Sequence, residues 1–294
     1  MASWLLDPYQ TQFMRHALAT AAIIGVLCPV VGVWVVLRRL AYLGDAMSHA
    51  TLSGVAVAYL VGASIAAGAL VAGLVMGGLI SVLGSRRRLG DDTVIGVVET
   101  ILFAVGVLII SRSDGIGVDL SHFLLGQITT VSVSELRVNG VLALSALVVV
   151  AVLHRDLLAA TFDPTHARQV GIDDRKLRLV VLALVSVSVV VSLQTVGLLM
   201  SVAILVTPAA TARLVTHRLS TMTAVAVVGG LTSTVGGLTA SYHLDTPPGA
   251  TIALTAAGIF LVVFTATVPA RVEHRFRRQP AEPPPIAPHN GVPT

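Results

Sequence analysis

In "YLGDAMSHATLSG", residues 42–54, Asp45 and His49 stand four positions apart, and another carboxylate, Glu99, lies two apolar runs further on. On a helix, residues at i and i+4 project from one face, so this carboxylate and imidazole can reach a shared ion. Imidazole nitrogen with carboxylate oxygen suits zinc, manganese or ferrous iron, and the set lacks the thiolates that a soft-metal site uses. Two or three ligands leave a coordination shell incomplete, which fits transient passage better than storage. Each residue also has a structural alternative. Asp45 can cap a helix start, His49 can hydrogen-bond between helices, and Glu99 can pair with an arginine.

What positions these residues is an apolar chain. Of 294 residues, 55% are hydrophobic and 12% charged, with a mean hydropathy of +0.88. A soluble domain of this length needs far more charged surface, so the composition indicates an all-α, polytopic integral membrane helix bundle. Apolar segments occupy 17–37, 43–62, 64–84, 93–111, 138–153, 179–193, 196–212, 221–241 and 250–268. A spanning helix needs about 20 residues, and 138–153, 179–193 and 196–212 fall short of that. If only Gln194 and Thr195 interrupt a single helix over 179–212, the count is eight rather than nine.

Charge placement favours nine. Sixteen of the nineteen arginines and lysines fall in five clusters. These are Arg38 with Arg39; Arg86, Arg87 and Arg88; the five basic residues of 154–178; Arg213 with Arg218; and Arg271, Arg275, Arg277 and Arg278. Placing all five clusters in the cytoplasm satisfies the positive-inside bias. It requires two crossings between 178 and 213, the N-terminus outside and the C-terminus cytoplasmic. The formal charge of +4 is then a topology signal and not a nucleic-acid footprint. Residues 1–16 carry Asp7 and one basic residue ahead of a long apolar run, so no cleavable signal peptide is expected. Residues 1–278 read as one transmembrane domain, and 279–294, rich in proline, as a disordered cytoplasmic tail. The single cysteine, Cys28, offers no disulfide framework.

Of fifteen carboxylates and nine histidines, only Asp45, His49 and Glu99 fall inside the apolar segments. Burying an ionisable group in lipid costs a few kcal/mol, so such groups face a cavity or a partner. At ~1.5 Å per residue, His49 and Glu99 each lie about 9 Å into a segment that runs outward from the cytoplasm. Three potential ligands therefore share a depth if their helices are neighbours. Ala69, Gly73 and Gly77 repeat every fourth residue, and "GGLTSTVGGLTAS" (229–241) is equally thin, so both read as close helix-packing faces. Pro208 falls inside a segment, where lining a cavity would make its lost hydrogen bond tolerable.

Lys176 is the only lysine, and no GxxxxGK[ST] loop includes it, so the chain is not expected to hydrolyse ATP. HExxH is absent, and no Ser/His/Asp combination has supporting local context, so nothing marks an enzyme. Within the long cytoplasmic connection 154–178, "DPTHARQVG" has the signature of a short helix. Asp163 would cap it, Pro164 open it and Gly171 close it. Such a helix either lies on the lipid surface or docks a soluble partner, and local physics favours neither.

Four stretches resemble the permease subunits of ATP-binding-cassette importers for manganese, zinc and iron: 13–60 with its GDAMSHATLSG, "FDPTHARQVGI" (162–172), "TVGLLMSVAILVTPAATARLV" (195–215) and "SYHLDTPPGATIAL" (241–254). The resemblance spans nearly the whole chain in order. It implies an importer of two copies of this subunit, a cytoplasmic ATPase dimer and an extracytoplasmic metal-binding protein, with no permanently bound cofactor. It also implies a metal site at Asp45 and His49. The 162–172 stretch becomes an ATPase-coupling helix, with Asp163, Pro164, His166, Ala167, Arg168 and Gly171 its characteristic residues. Glu99 lies in no motif that carries over and rests on depth alone. His243 and Asp245 could greet metal at the outer entrance, or be ordinary loop polarity around a proline turn. Rival readings are a permease for iron chelates or cobalamin, a partner-free secondary metal carrier, and a scaffold.

Overall fold

Every apolar segment read from the sequence lies on a helix in the computed structural model, which describes residues 12–84, 90–112, 128 and 131–277. The arginines at 86–88 and the 279–294 tail lie outside the described residues. In chain order the helices are α1 (Gln12–Leu37), α2 (Ala41–Leu60), α3 (Ile65–Leu83), α4 (Asp91–Ser111), α5 (Val133–Val152), α6 (His154–Phe162), α7 (Pro164–Gln169), α8 (Asp174–Val196), α9 (Leu198–Val215), α10 (Leu219–Leu244) and α11 (Pro248–Arg277). No strand occurs among the described residues.

Seven of these, α1, α3, α4, α5, α8, α10 and α11, are long and apolar enough to cross a membrane. The 20-residue α2 is as long as a span but carries Asp45, His49 and several hydroxyls, so its hydropathy is lower. Helix α9 contributes a shorter apolar stretch, Ser201–Val215. The region 179–212 is two helices and not one. Gly197 separates α8 from α9 at φ 87° and ψ 168°, a backbone conformation that side-chain-bearing residues avoid.

Burial ranks the helices from centre to rim. The apolar windows of α1 and α8 are each 67% buried, against 22% for α4 and α5 and 17% for α11. Helix α1 packs against α10, α9, α8 and α5. Large apolar residues on the rim, such as Val82, Val152 and Leu254, are exposed on this chain. Against acyl chains that exposure carries no penalty, and helix association rests on close packing instead.

The small-residue faces supply that packing. Ala69, Gly73 and Gly77 of α3 face α8, where a Cβ on Gly77 would come within 3.2 Å of Leu182. Gly230, in the 229–241 stretch, meets Gly25 and Pro29 of α1. Pro208 is buried against α10 near Gly229. A close crossing also joins α2 to α3: a Cβ on Gly54 or on Gly68 would run into the other glycine's carbonyl oxygen.

Replacing Gly54 with valine must therefore separate α2 from α3. The overpacking cost is about 1–3 kcal/mol, expected as a lower thermal midpoint of the detergent-solubilised protein. Gly78→Ala, with no neighbouring atom within 4 Å of the new methyl, should leave the midpoint unchanged or raised.

Candidate functional site

Helices α2 and α4 form the most extensive helix pair in the bundle. They run parallel: His49 sits beside Glu99, and further along Gly106 abuts Leu52 and Ser53. The approach is close because Gly106 has no side chain; a Cβ there would lie 2.8 Å from the Ser53 amide nitrogen. His49 and Glu99 are each eight residues beyond the first residue of their helix. The equal-depth reading from the sequence thus meets the neighbouring helices it requires.

His49 Nδ1 and Glu99 Oε1 are 2.9 Å apart. The Tyr42 hydroxyl donates to the other carboxylate oxygen, Glu99 Oε2, at 2.6 Å. The Phe103 ring lies against the imidazole, with centroids 5.7 Å apart at 55°. Glu99 is largely enclosed at 13% side-chain exposure, while His49 is 32% exposed and opens to the chain's surface. One oxygen therefore orients the carboxylate through tyrosine while the other faces imidazole. Two cis ligands held ~2.1 Å from an ion stand about 3 Å apart, so the nitrogen and oxygen already have a ligand-pair spacing.

Two of the structural alternatives fail. Asp45 caps nothing, because α2 starts at Ala41 with Leu40 as its N-cap and no side-chain cap bond. Among the described residues Glu99 pairs with His49 and Tyr42 and not with an arginine. The inter-helix hydrogen bond proposed for His49 is present, and its partner is the other candidate ligand. Asp45 is half-buried one turn before His49. Among the described residues no three His, Cys, Asp or Glu side chains converge as a metal-holding group, so the structure brings together two of the three expected ligands. Tyr42 and Phe103 were not foreseen. Tyr42 precedes Asp45 by three residues and His49 by seven, which places all three on one helical face and was the available signal.

His243 and Asp245 end α10, which packs on α1, α9 and α11. Asp245 takes the left-handed conformation at φ 51° that terminates the helix, and His243 packs edge-on against Tyr242 with centroids 5.3 Å apart. The helix-ending geometry accounts for Asp245; nothing here brings either residue to His49.

The 163–171 motif folds as its sequence requires. Asp163 Oδ1 accepts the His166 backbone N–H at 2.9 Å, Pro164 opens α7, and Gly171 closes the segment at φ 83°. Ala167 is buried at 1% exposure, while His166 and Arg168 point outward, flanked by exposed Phe162 and Val170. A short helix with one face locked into the bundle and the other presenting polar groups between two apolar residues is a surface that a partner can grip.

The model of the ABC 3 transport family matches residues 10–267. The manganese transport system membrane protein MntC of Halalkalibacterium halodurans is 38% identical over 252 residues, 86% of each chain. A probable iron transport system membrane protein of Haemophilus influenzae is 34% identical over 262 residues, 89% of this chain and 96% of that one. Among solved structures, PsaBC from Streptococcus pneumoniae in complex with Fab superposes with a TM-score of 0.84 at 30% identity, covering 94% of this chain and 100% of that one.

Asp163→Ala removes the α7 cap at a cost of about 1 kcal/mol. Amide exchange across α7 should accelerate roughly fivefold, while exchange in α1 stays unchanged; equal exchange in variant and wild type would show that the cap contributes nothing.

Proposed function

Because the chain belongs to the ABC 3 transport family, we propose that it is the membrane-spanning subunit of an ATP-driven importer of a divalent transition metal ion, manganese, iron or zinc. The observation that carries this reading is the His49–Glu99 pair at 2.9 Å, placed within two parallel helices of an apolar bundle. Relatives named for manganese and iron transport support the same cargo class.

Nine crossings, with the N-terminus outside and the basic clusters in the cytoplasm, give every described apolar helix a place and put the α2 and α4 starts on the cytoplasmic side. The site then lies about 12 Å along each helix. A pair one-third exposed at His49 cannot face acyl chains without a cost of several kcal/mol. A second copy of the chain, related by a two-fold axis, covers that face and supplies its own His49, Glu99 and Asp45 to complete the shell. Asp45, one turn nearer the cytoplasm, is the next donor on the ion's way inward. ATP hydrolysis belongs to a separate ATPase dimer that docks on α7 through His166 and Arg168, and an extracytoplasmic binding protein delivers the ion. The chain itself performs no chemistry on its cargo.

Reconstituted with these partners, His49→Ala and Glu99→Gln should each lower manganese uptake by at least about 100-fold, and Tyr42→Phe, which only orients the carboxylate, by about tenfold. Wild-type uptake in His49→Ala removes the reading. Preference for a chelated metal over the bare ion would transfer it to the chelate-importer alternative.

A further inference from the structure

The two helices that carry the site begin at one small polar cavity. About 300 Å³ in volume, it is lined by Arg38 and Arg39 from the α1–α2 turn, Asp91 from the start of α4, Ala160 and Thr161 from α6, and Asp174 and Arg178 from α8. Two polar contacts cross it. Arg38 Nε donates to Thr161 Oγ1 at 3.2 Å, and Thr161 in turn donates to the Leu157 carbonyl at 2.6 Å. Arg178 Nη2 donates to Asp91 Oδ1 at 2.7 Å.

Their placement in the chain is orderly. Thr161 lies two residues before Asp163, on the N-terminal flank of α7, and α8, which carries Arg178, begins on its C-terminal flank. Arg38 is three residues before the start of α2, across a turn fixed by Arg39 at φ 58° and by buried Leu40. Asp91 is the first residue of α4. The N-terminal flank of α7 is thus bonded to the turn that leads into the His49 helix, and α8, on its C-terminal flank, to the first residue of the Glu99 helix.

We propose that these two contacts are the joint through which movement of α7 reaches α2 and α4, with Arg38, Thr161, Asp91 and Arg178 as positioning residues. The inference rests on the reading of α7 as the ATPase-docking helix. Rigid backing makes transmission direct: Trp34 of α1 packs edge-on against His154 of α6 at 5.7 Å, and Leu157, Ala160 and Ala167 are buried in the same core as α1 and α8.

The joint also has a second arrangement available. Arg38 Nη2 is buried and has no hydrogen-bond partner, an unfavourable state for a donor. Asp174 lines the same cavity and acts on Arg38 electrostatically, yet no ion pair joins them among the described residues. A shift of the α8 start toward Arg38 would satisfy this donor. Two discrete pairings of one side chain are what a transmitting element requires.

The test uses the transporter assembled with its ATPase and follows amide exchange at 41–45 and 91–95 with and without ATP. In wild type, ATP should change exchange at both segments. Thr161→Val should shrink that change roughly tenfold at 41–45, and Asp91→Asn should do the same at 91–95. Exchange without ATP and manganese affinity should both stay at wild-type values, and Thr161→Ser should restore the response. An undiminished ATP response in both valine and asparagine variants overturns the joint, as does a loss matched by equally weakened manganese affinity, which signals damaged packing. Import of manganese by the wild-type assembly is scored separately and bears only on the cargo, because the exchange response to ATP needs no metal.

Discussion

An imidazole and a carboxylate 2.9 Å apart within a bundle of apolar helices impose more on this chain than any other contact. Neither group is tolerated in hydrocarbon alone, so the helices carrying them must lie side by side, in register and pointing the same way. Parallel neighbours cannot be joined by a short turn; the chain has to return first. Helix α3 makes that return, passing close to α2 at the glycine pair Gly54–Gly68, and α4 packs on both. The polarity that lowers α2's hydropathy is offset by enclosure: α3, α4, α8 and α9 all pack on it. Ser48 hydrogen-bonds back to the Gly44 carbonyl and across to Ser201 of α9 at 3.0 Å, so polar groups behind the site are satisfied within the bundle.

The central position of α1 follows from the same geometry. It touches α5, α8, α9 and α10, and its C-terminal end meets α6 through Trp34 and Arg38. Burial holds the Arg38 guanidinium below its ordinary range, with Asp174 opposing and Arg178 reinforcing that shift. A charge kept in such a place needs partners on several elements, and those partners are the residues that flank α7. On the proposed docking role of α7, the element that receives force from a partner is therefore tied to the turn that leads into α2.

Local patterns were legible in proportion to how local their causes are. Nine apolar runs and the cap, proline and glycine of 163–171 are properties of neighbouring residues, and each lies on or bounds a helix in the structure. The small faces of α3 and α10 also pack as their spacing indicates. What depended on pairing across the chain was harder to see. Glu99 carried no motif, and only its depth pointed to His49, fifty residues away. Tyr42 belongs to no motif, although it shares a helical face with Asp45 and His49. The break within 179–212 was placed by charge counting, while its physical agent, Gly197 at positive φ, attracted no notice because glycine is common throughout the chain. Asp45 was grouped with its helical neighbour by spacing, but shared face does not fix side-chain convergence, and only His49 and Glu99 meet.

An incomplete ligand set is the consequence, and it suits passage. A closed four-ligand cage holds an ion tightly enough to contribute to folding, whereas an ion in transit must be released on every cycle. On the proposed reading, a carboxylate oriented by a tyrosine and an imidazole open at 32% exposure grip an ion strongly only while a second such surface faces them. In the proposed two-copy importer, affinity therefore depends on how closely the α2–α4 faces of the two chains approach. Tilting those helices at their cytoplasmic starts changes that separation without altering any ligand, so capture and release become a matter of helix position and not of ligand chemistry.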